Sequence, residues 1–349
     1  MKINKIHINI AKIITTFILV MMICFYSNAN PLPKQITVAQ TGKADFTTIQ
    51  AAINSLPDNA STPQVIFIKN GTYNEKISIE KNNVVLMGES EDGVIITQAI
   101  ARDEFRCESK SDWGVATMNL NGNDITLQNL TVQNTYGFDA KEEWTTVDCK
   151  ADSTGKKRIS KSGHQMALRS MKTTRLKVIN CHFRAFGGDT VSPWNVGEGL
   201  FYFKYCVMEG GVDFFCPRGW SYAENCTFIA HTGPASIWHD GSVKKDSKTV
   251  LKNCNFKGFD GFNLGRYHHD AQFFLINCTF AQNMADKDIY LVPTENKIQW
   301  GRRVYYFNCH RENGNDFTWM KNNLETSDEK PEAANVTAAW VFGDKWKAE

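Results

Sequence analysis

One short pattern recurs along most of this chain, and it restricts the possible folds more than any other feature. Val178-Ile179-Asn180-Cys181-His182-Phe183 returns as Ala223-Glu224-Asn225-Cys226-Thr227-Phe228. It returns again as Leu251-Lys252-Asn253-Cys254-Asn255-Phe256 and Leu275-Ile276-Asn277-Cys278-Thr279-Phe280. Weaker copies end in Cys206 and Cys309, and a cysteine-free copy is Leu127-Gln128-Asn129-Leu130-Thr131-Val132. A period of roughly 20–31 residues is too short for a strand–helix–strand unit and suits one coil of a solenoid. Each coil would lay short strands on the coil before it, about 4.8 Å away. The pattern therefore predicts an all-β, single-stranded right-handed parallel β-helix. Its repeated cysteines point inward as small hydrophobes. Its repeated asparagines sit at a bend, where their amides can bond along a ladder. Cysteines placed one per coil form a line, which is the wrong arrangement for a tetrahedral metal site.

The rest of the chain divides around this repeat. Residues 1–29 combine Lys2, Lys5 and Lys12, an apolar run from Ile13 to Tyr26, and small residues at Ser27-Asn28-Ala29. This is the pattern of a signal peptide cut after Ala29. A membrane anchor is the competing reading, but the apolar run is short for a span; a lipid anchor at Cys24 is disfavoured by Ile23. Residues 30–349 would then form one β-helix domain in an exported protein, periplasmic or extracellular, working as a monomer. Removing three of the 39 basic residues leaves 36 against 37 acidic ones, a net charge of −1. Such a chain has no general field for capturing a polyanion, which argues against nucleic acid. Phe46 to Leu56 has helical apolar spacing, with Thr47 and Gln50 fitting a capping box, and this short helix would cap the open end of the coils. Residues 101–112 and 136–162 interrupt the rhythm as surface insertions. Residues 311–349 lose it and read as a tail packed along the solenoid, with Trp319, Trp340 and Trp346 either packing or stacking on sugar. Cys107 and Cys149 lie outside the ladder, where a disulfide and two free thiols are equally consistent with the sequence.

Chemistry enters through phase. Gln165, Asp189 and Asp213 are spaced by one coil each, and Arg266 follows about two coils later. In register, they place an amide, two carboxylates and a guanidinium in one column. Two carboxylates one rung apart do not both ionise cheaply, which divides them into a proton donor and a nucleophile. An arginine can hold one of them ionised and oriented. The plain alternative is a solvated acidic ladder with an arginine nearby. Against it, Asp213 is preceded by Gly210 and Gly211 and followed by Phe214 and Phe215, which suggests a carboxylate between aromatic walls able to hold a sugar ring. Trp194, Trp238 and His268 are further candidates for substrate contact. Trp220 could equally stack on sugar or pack in the core or rim, and the pairs His239-Asp240 and His268-His269 could form an acid/base or metal pair, although surface histidines are the better reading.

These residues also carry a resemblance. The chain is similar to the pectin methylesterases through Asp45-Phe46-Thr47-Thr48-Ile49-Gln50-Ala51-Ala52-Ile53 and Lys69-Asn70-Gly71-Thr72-Tyr73. The likeness continues through Gly163-His164-Gln165-Met166-Ala167-Leu168, Gly187-Gly188-Asp189-Thr190, Gly211-Val212-Asp213-Phe214 and Leu264-Gly265-Arg266, in that order. The resemblance implies an aspartyl esterase acting on methyl-esterified galacturonan. Asp213 would be the nucleophile, Asp189 the acid and base, Gln165 the oxyanion donor and Arg266 the residue that orients Asp213. It implies no metal and no cofactor. The chain departs from the family at Gly188, where a second glutamine is usual, at Tyr267 and His268 in place of Pro-Trp, and at Cys216 and Pro217 after the aromatic pair. A β-helical pectate lyase and a catalytically impaired sugar-binding solenoid are the alternatives. A lyase would need calcium carboxylates and a basic residue as base.

Overall fold

A computed structural model describes residues 35–233, 235–239 and 241–349, with His239 described by its backbone alone. The segment expected to be a signal peptide, and Asp240 with the side chain of His239, lie outside this description. The described chain is a parallel β-helix, as the repeat predicts, and its strands stack into three ladders.

The first ladder runs from Ile36–Val38 and Gln64–Ile68 through Leu200–Lys204, Trp220–Glu224, Thr249–Lys252 and Phe273–Ile276 to Val304–Phe307, all parallel. Its register aligns Leu127, Val178, Phe203, Ala223, Leu251, Leu275 and Tyr306, every one buried. The second ladder aligns Val132, Phe183, Met208, Phe228, Phe256 and Phe280 in the same way. Rings on successive coils stack, with 4.7 Å between the Phe228 and Phe256 centroids. Truncating one of these rings to alanine would cost about 3–5 kcal/mol.

Between the two ladders the chain bends through left-handed residues. Asn129, Asn180, Tyr205, Asn225, Asn253, Asn277 and Asn308 all have φ between 49° and 56°. Asparagine tolerates this conformation better than other side chains with a Cβ. The amides bond along the column: Asn180 donates to Asn129 at 3.1 Å, Asn277 to Asn253 at 3.1 Å, and Asn308 to Asn277 at 3.0 Å. The next residue on each coil turns inward. Cys181, Cys206, Cys226, Cys254, Cys278 and Cys309 are buried free thiols.

The third ladder comprises Ile77–Ile79, Met118–Leu120, Leu168–Ser170, Val191–Ser192, a bridge at Phe215, Ile237–His239, Gly265–Tyr267 and Tyr290–Leu291. The candidate site lies where this ladder begins on each coil.

The N-terminal helix is α1, Ile49–Ser55, with Ile49, Ala52 and Ile53 in the core. Its cap differs from the expected box. Thr48, not Thr47, accepts from Ala51 N, and the Glu75 carboxylate accepts from the backbone N–H groups of Ile49 and Gln50. A long-range acid thus occupies the helix start, where the peptide dipoles favour negative charge. The Gln50 side chain is free to pair instead with the backbone of Ser78.

The two interruptions meet each other. A helix, α2 (Arg102–Glu108), and an antiparallel hairpin, Trp144–Asp148 with Lys156–Ser160, are joined by a Cys107–Cys149 disulfide. Between them lies α3, the single turn Tyr136–Asp139. The C-terminal segment covers the outer side of the first ladder. Leu324, Val336, Val341 and Phe342 pack on Tyr202, Tyr222, Val250 and Phe274. Trp340 lies edge-on to Phe274, Trp346 packs on Phe342, and Trp319 packs on Phe280 and Tyr306. All three tryptophans therefore serve packing.

Candidate active site

The site begins with a second set of left-handed bends. Asp189 and Asp213 have φ of 58° and 55°. Aspartate, like asparagine, accepts this region at moderate cost. The coils that carry them are tied together: Gln165 N donates to Gly188 O, Asp189 N to Val212 O, and Asp213 N to Ala235 O. Bridges from His164 to Gly188 and from Val191 to Phe215 set the register, so Gln165, Asp189 and Asp213 fall on consecutive coils.

The two acids sit at a nearly closed surface, 9% and 5% exposed. Arg266 reaches back across the intervening coil and holds Asp213 in a two-point clamp, Nε to Oδ1 at 3.0 Å and Nη2 to Oδ2 at 2.6 Å. Burial pushes the Asp213 carboxyl above the ordinary carboxylate range. The Arg266 hydrogen bonds pull it back, and the charge of Asp189 adds to the rise. Under Asp189 lies Cys216, fully buried, whose thiol donates to Asp189 Oδ1 at 3.4 Å. Burial raises that thiol further, so it stays protonated and acts as a donor. Arg169 and Arg218, both buried, converge on Ser192 Oγ at 2.5 and 2.9 Å, and each guanidinium lies over the Trp194 ring.

The other expected contacts are distributed unevenly. Trp238 is half-buried, with Arg266 over its ring and His268 edge-on at 4.5 Å. His268 and His269 form a further edge-on pair. Trp194 is half-buried. Trp220 is buried against the C-terminal segment, with Lys345 over its ring. Phe214 corrects the expectation of an aromatic wall: it and Phe215 are wholly buried in the core, against Phe228. The left-handed turn at Asp213 breaks strand alternation, and two consecutive rings then face inward. Tyr267 likewise points into the core.

Gln165 also differs from the expectation. Its side chain is fully buried, its Oε1 accepts from Gly137 N at 3.0 Å, and its Nε2 donates to Lys161 O at 2.5 Å. The insertion around α3 thus covers the amide and occupies it. Nor is there room for a second glutamine at position 188. A Cβ there would lie 2.6 Å from Val212 O and 3.2 Å from His164 Cδ2. His164 instead stands at the surface, its side chain 45% exposed and its Nε2 4.0 Å from Asp189 Oδ1.

Beside α3 is a cluster that sequence reading did not reveal. Glu209 is buried and receives His182 Nε2 at 2.9 Å, His231 Nε2 at 2.7 Å and Arg184 Nε at 2.8 Å. Burial alone would raise its pKa, but the hydrogen bonds from His182 and His231 outweigh that and hold it well below the carboxylate range. His231 stacks on Phe186, and Phe138 meets both rings edge-on while Arg184 lies over it. The cluster therefore fastens α3 against the solenoid, beside Gln165. The only hint in sequence was the period placing His182, Glu209 and His231 on successive coils.

Fold and site together define a parallel β-helix with an arginine-clamped pair of acids on its outer face. The Pectinesterase family model matches residues 35–182. Pectinesterase A of Dickeya chrysanthemi is 41% identical over 106 residues, 30% of this chain and 28% of that protein. A pectinesterase of Arabidopsis thaliana is 24% identical over 91% of this chain and 80% of its own length. Among solved structures, a pectin methylesterase from Erwinia chrysanthemi superposes with a TM-score of 0.70 at 22% identity, covering 90% of this chain and 98% of that one. A pectin methylesterase in complex with a hexasaccharide gives 0.68 at 24% identity over the same shares. The chain is thus similar to the pectinesterases over residues 35–182, and spans less than a third of the length of the bacterial relative it matches at 41% identity.

Proposed function

We propose that this protein hydrolyses methyl esters of galacturonate in pectin, with Asp213 as nucleophile. The observation that carries the reading is the two-point Arg266 clamp on Asp213, one coil from Asp189, in a chain whose residues 35–182 match the Pectinesterase family model. The clamp fixes one Asp213 oxygen pair in place and favours its ionised form. Asp213 attacks the ester carbonyl carbon, and the carbonyl electron pair moves to oxygen. Collapse of that intermediate breaks the bond to methoxide, which leaves as methanol with a proton from Asp189. Asp189 then takes a proton from water. The hydroxide formed releases the galacturonate carboxylate and returns Asp213. Cys216, donating to Asp189 from below, holds the carboxyl in position. Trp238 and His268 beside Arg266 offer apolar faces for sugar rings, as does the outer edge of Trp194.

The same reading includes export as a single chain into an oxidising compartment. The pattern of residues 1–29 and the Cys107–Cys149 disulfide support it. Among the described residues no helix is long and apolar enough to cross a membrane.

The test is methanol release from pectins of differing backbone and ester content. Methanol without chain cleavage is expected. An unsaturated, calcium-dependent product would instead establish a lyase. Binding with neither product would establish a sugar-binding solenoid.

A further inference from the structure

We propose that His164 is a catalytic residue of this site and supplies the hydrogen bond to the developing oxyanion. This rests on the esterase reading. Ester hydrolysis through an aspartate needs a donor aimed at the carbonyl oxygen as it gains charge. The two amides a pectin methylesterase-like site would use are unavailable here. The Gln165 amide is buried and engaged on both sides, by Gly137 N and Lys161 O. Position 188 is glycine, with no space for a side chain.

His164 fills the vacated position. Its ring edge occupies the space beside Gly188, 3.2 Å from where a Cβ would stand, so the missing side chain and the placed imidazole are one arrangement. The backbone holds it firmly. His164 bridges Gly188, its carbonyl accepts from Arg102 N at 2.9 Å, and the next residue bonds Gly188 O. The ring stands beside the acid pair: its Nε2 is 4.0 Å from Asp189 Oδ1. At 4.0 Å this is not a hydrogen bond, and among the described residues the imidazole makes none. An Nε2–H in this position is open to a ligand oxygen between the two carboxylates. When the Asp213 oxygen bonds to the carbonyl carbon, the displaced electron pair resides on an oxygen that this N–H can meet. No proton transfer is required of His164 in that step.

The experiment compares methanol release by the full chain with that of His164→Ala and His164→Gln, alongside thermal unfolding of each. The ring is half exposed and makes no hydrogen bond among the described residues, so both variants should fold as the wild type does. His164→Ala is expected to lose about 10²–10³-fold in kcat, with KM within about threefold. His164→Gln, which retains an N–H donor of similar reach, should recover part of that loss, and added imidazole should partly rescue His164→Ala. Full kcat in His164→Ala overturns the inference, as does equal loss in the two variants without rescue. A wild-type chain that releases no methanol from any pectic ester removes the esterase reading, and this inference with it.

Discussion

The solenoid uses the same backbone device at two corners, to opposite ends. At one corner, Asn129, Asn180, Asn253, Asn277 and Asn308 turn the chain at positive φ, and their neutral amides bond to one another along the column, Asn180 to Asn129, Asn277 to Asn253 and Asn308 to Asn277. At the other, Asp189 and Asp213 turn it at the same φ, but carboxylates cannot bond to each other in that way. Each finds its partner elsewhere: the Arg266 guanidinium two coils away for Asp213, and the Cys216 thiol from beneath for Asp189. A ladder of amides satisfies itself and contributes stability. A ladder of acids stays under electrostatic stress, and that stress is the capacity to react.

The largest effect should come from removing charge at the acidic corner while keeping its turn. Asp213→Asn preserves a residue suited to positive φ, yet should lower methanol release by at least about 10³-fold. Its stability should move the other way. Because the folded state raises the Asp213 pKa, the ionised group weighs against folding at neutral pH. That penalty is absent below the unfolded carboxylate value of about 3.9 and complete above the folded one. Asp213→Asn should therefore melt at or above the wild-type temperature at pH 7, with the difference shrinking in acid. A large drop in Tm would mean the acid is structural, and the contrast between the corners would fail.

Glu209 sharpens the comparison, because it is a buried acid whose partners more than compensate. Its pKa is held below the ordinary range, so its contribution is present above the unfolded value of about 4.3 and is lost as pH falls through the folded one. Glu209→Gln should destabilise the protein by about 3 kcal/mol near neutral pH, read as a lower Tm, and the gap should close in strong acid. Activity should fall less than in Asp213→Asn.

The smallest effect is expected at the amide corner. Asn277→Ala removes two exposed ladder bonds and a side chain suited to positive φ, for a loss of about 1–2 kcal/mol. Asn277→Gly relieves the backbone part, so its loss should be smaller. Neither should change methanol release. Denaturant titration of the three proteins separates the two contributions.

Much of this was legible in the residues themselves. A repeat of fixed length with an inward cysteine and a turn-forming asparagine has few stable solutions, because each coil must bury its apolar side against the next. The same period was enough to bring Asp189 and Asp213 onto neighbouring coils. What it could not reveal was direction and company. Strand alternation fails at a left-handed residue, so Phe214 faced inward when a wall had been expected. Thr48 replaced Thr47 as the helix cap because Glu75, 26 residues from Ile49, closes the helix start. Gln165 lost its place in the cleft to an insertion whose Gly137 reaches it from 28 residues away. Local sequence determined the coil and its phase, since those depend on spacing within a turn and on which residues tolerate a bend. The burial of Gln165, the Arg266 clamp and the exposed His164 were decided only in three dimensions. Each depends on atoms from distant coils competing for the same few ångströms, and spacing alone does not settle that competition.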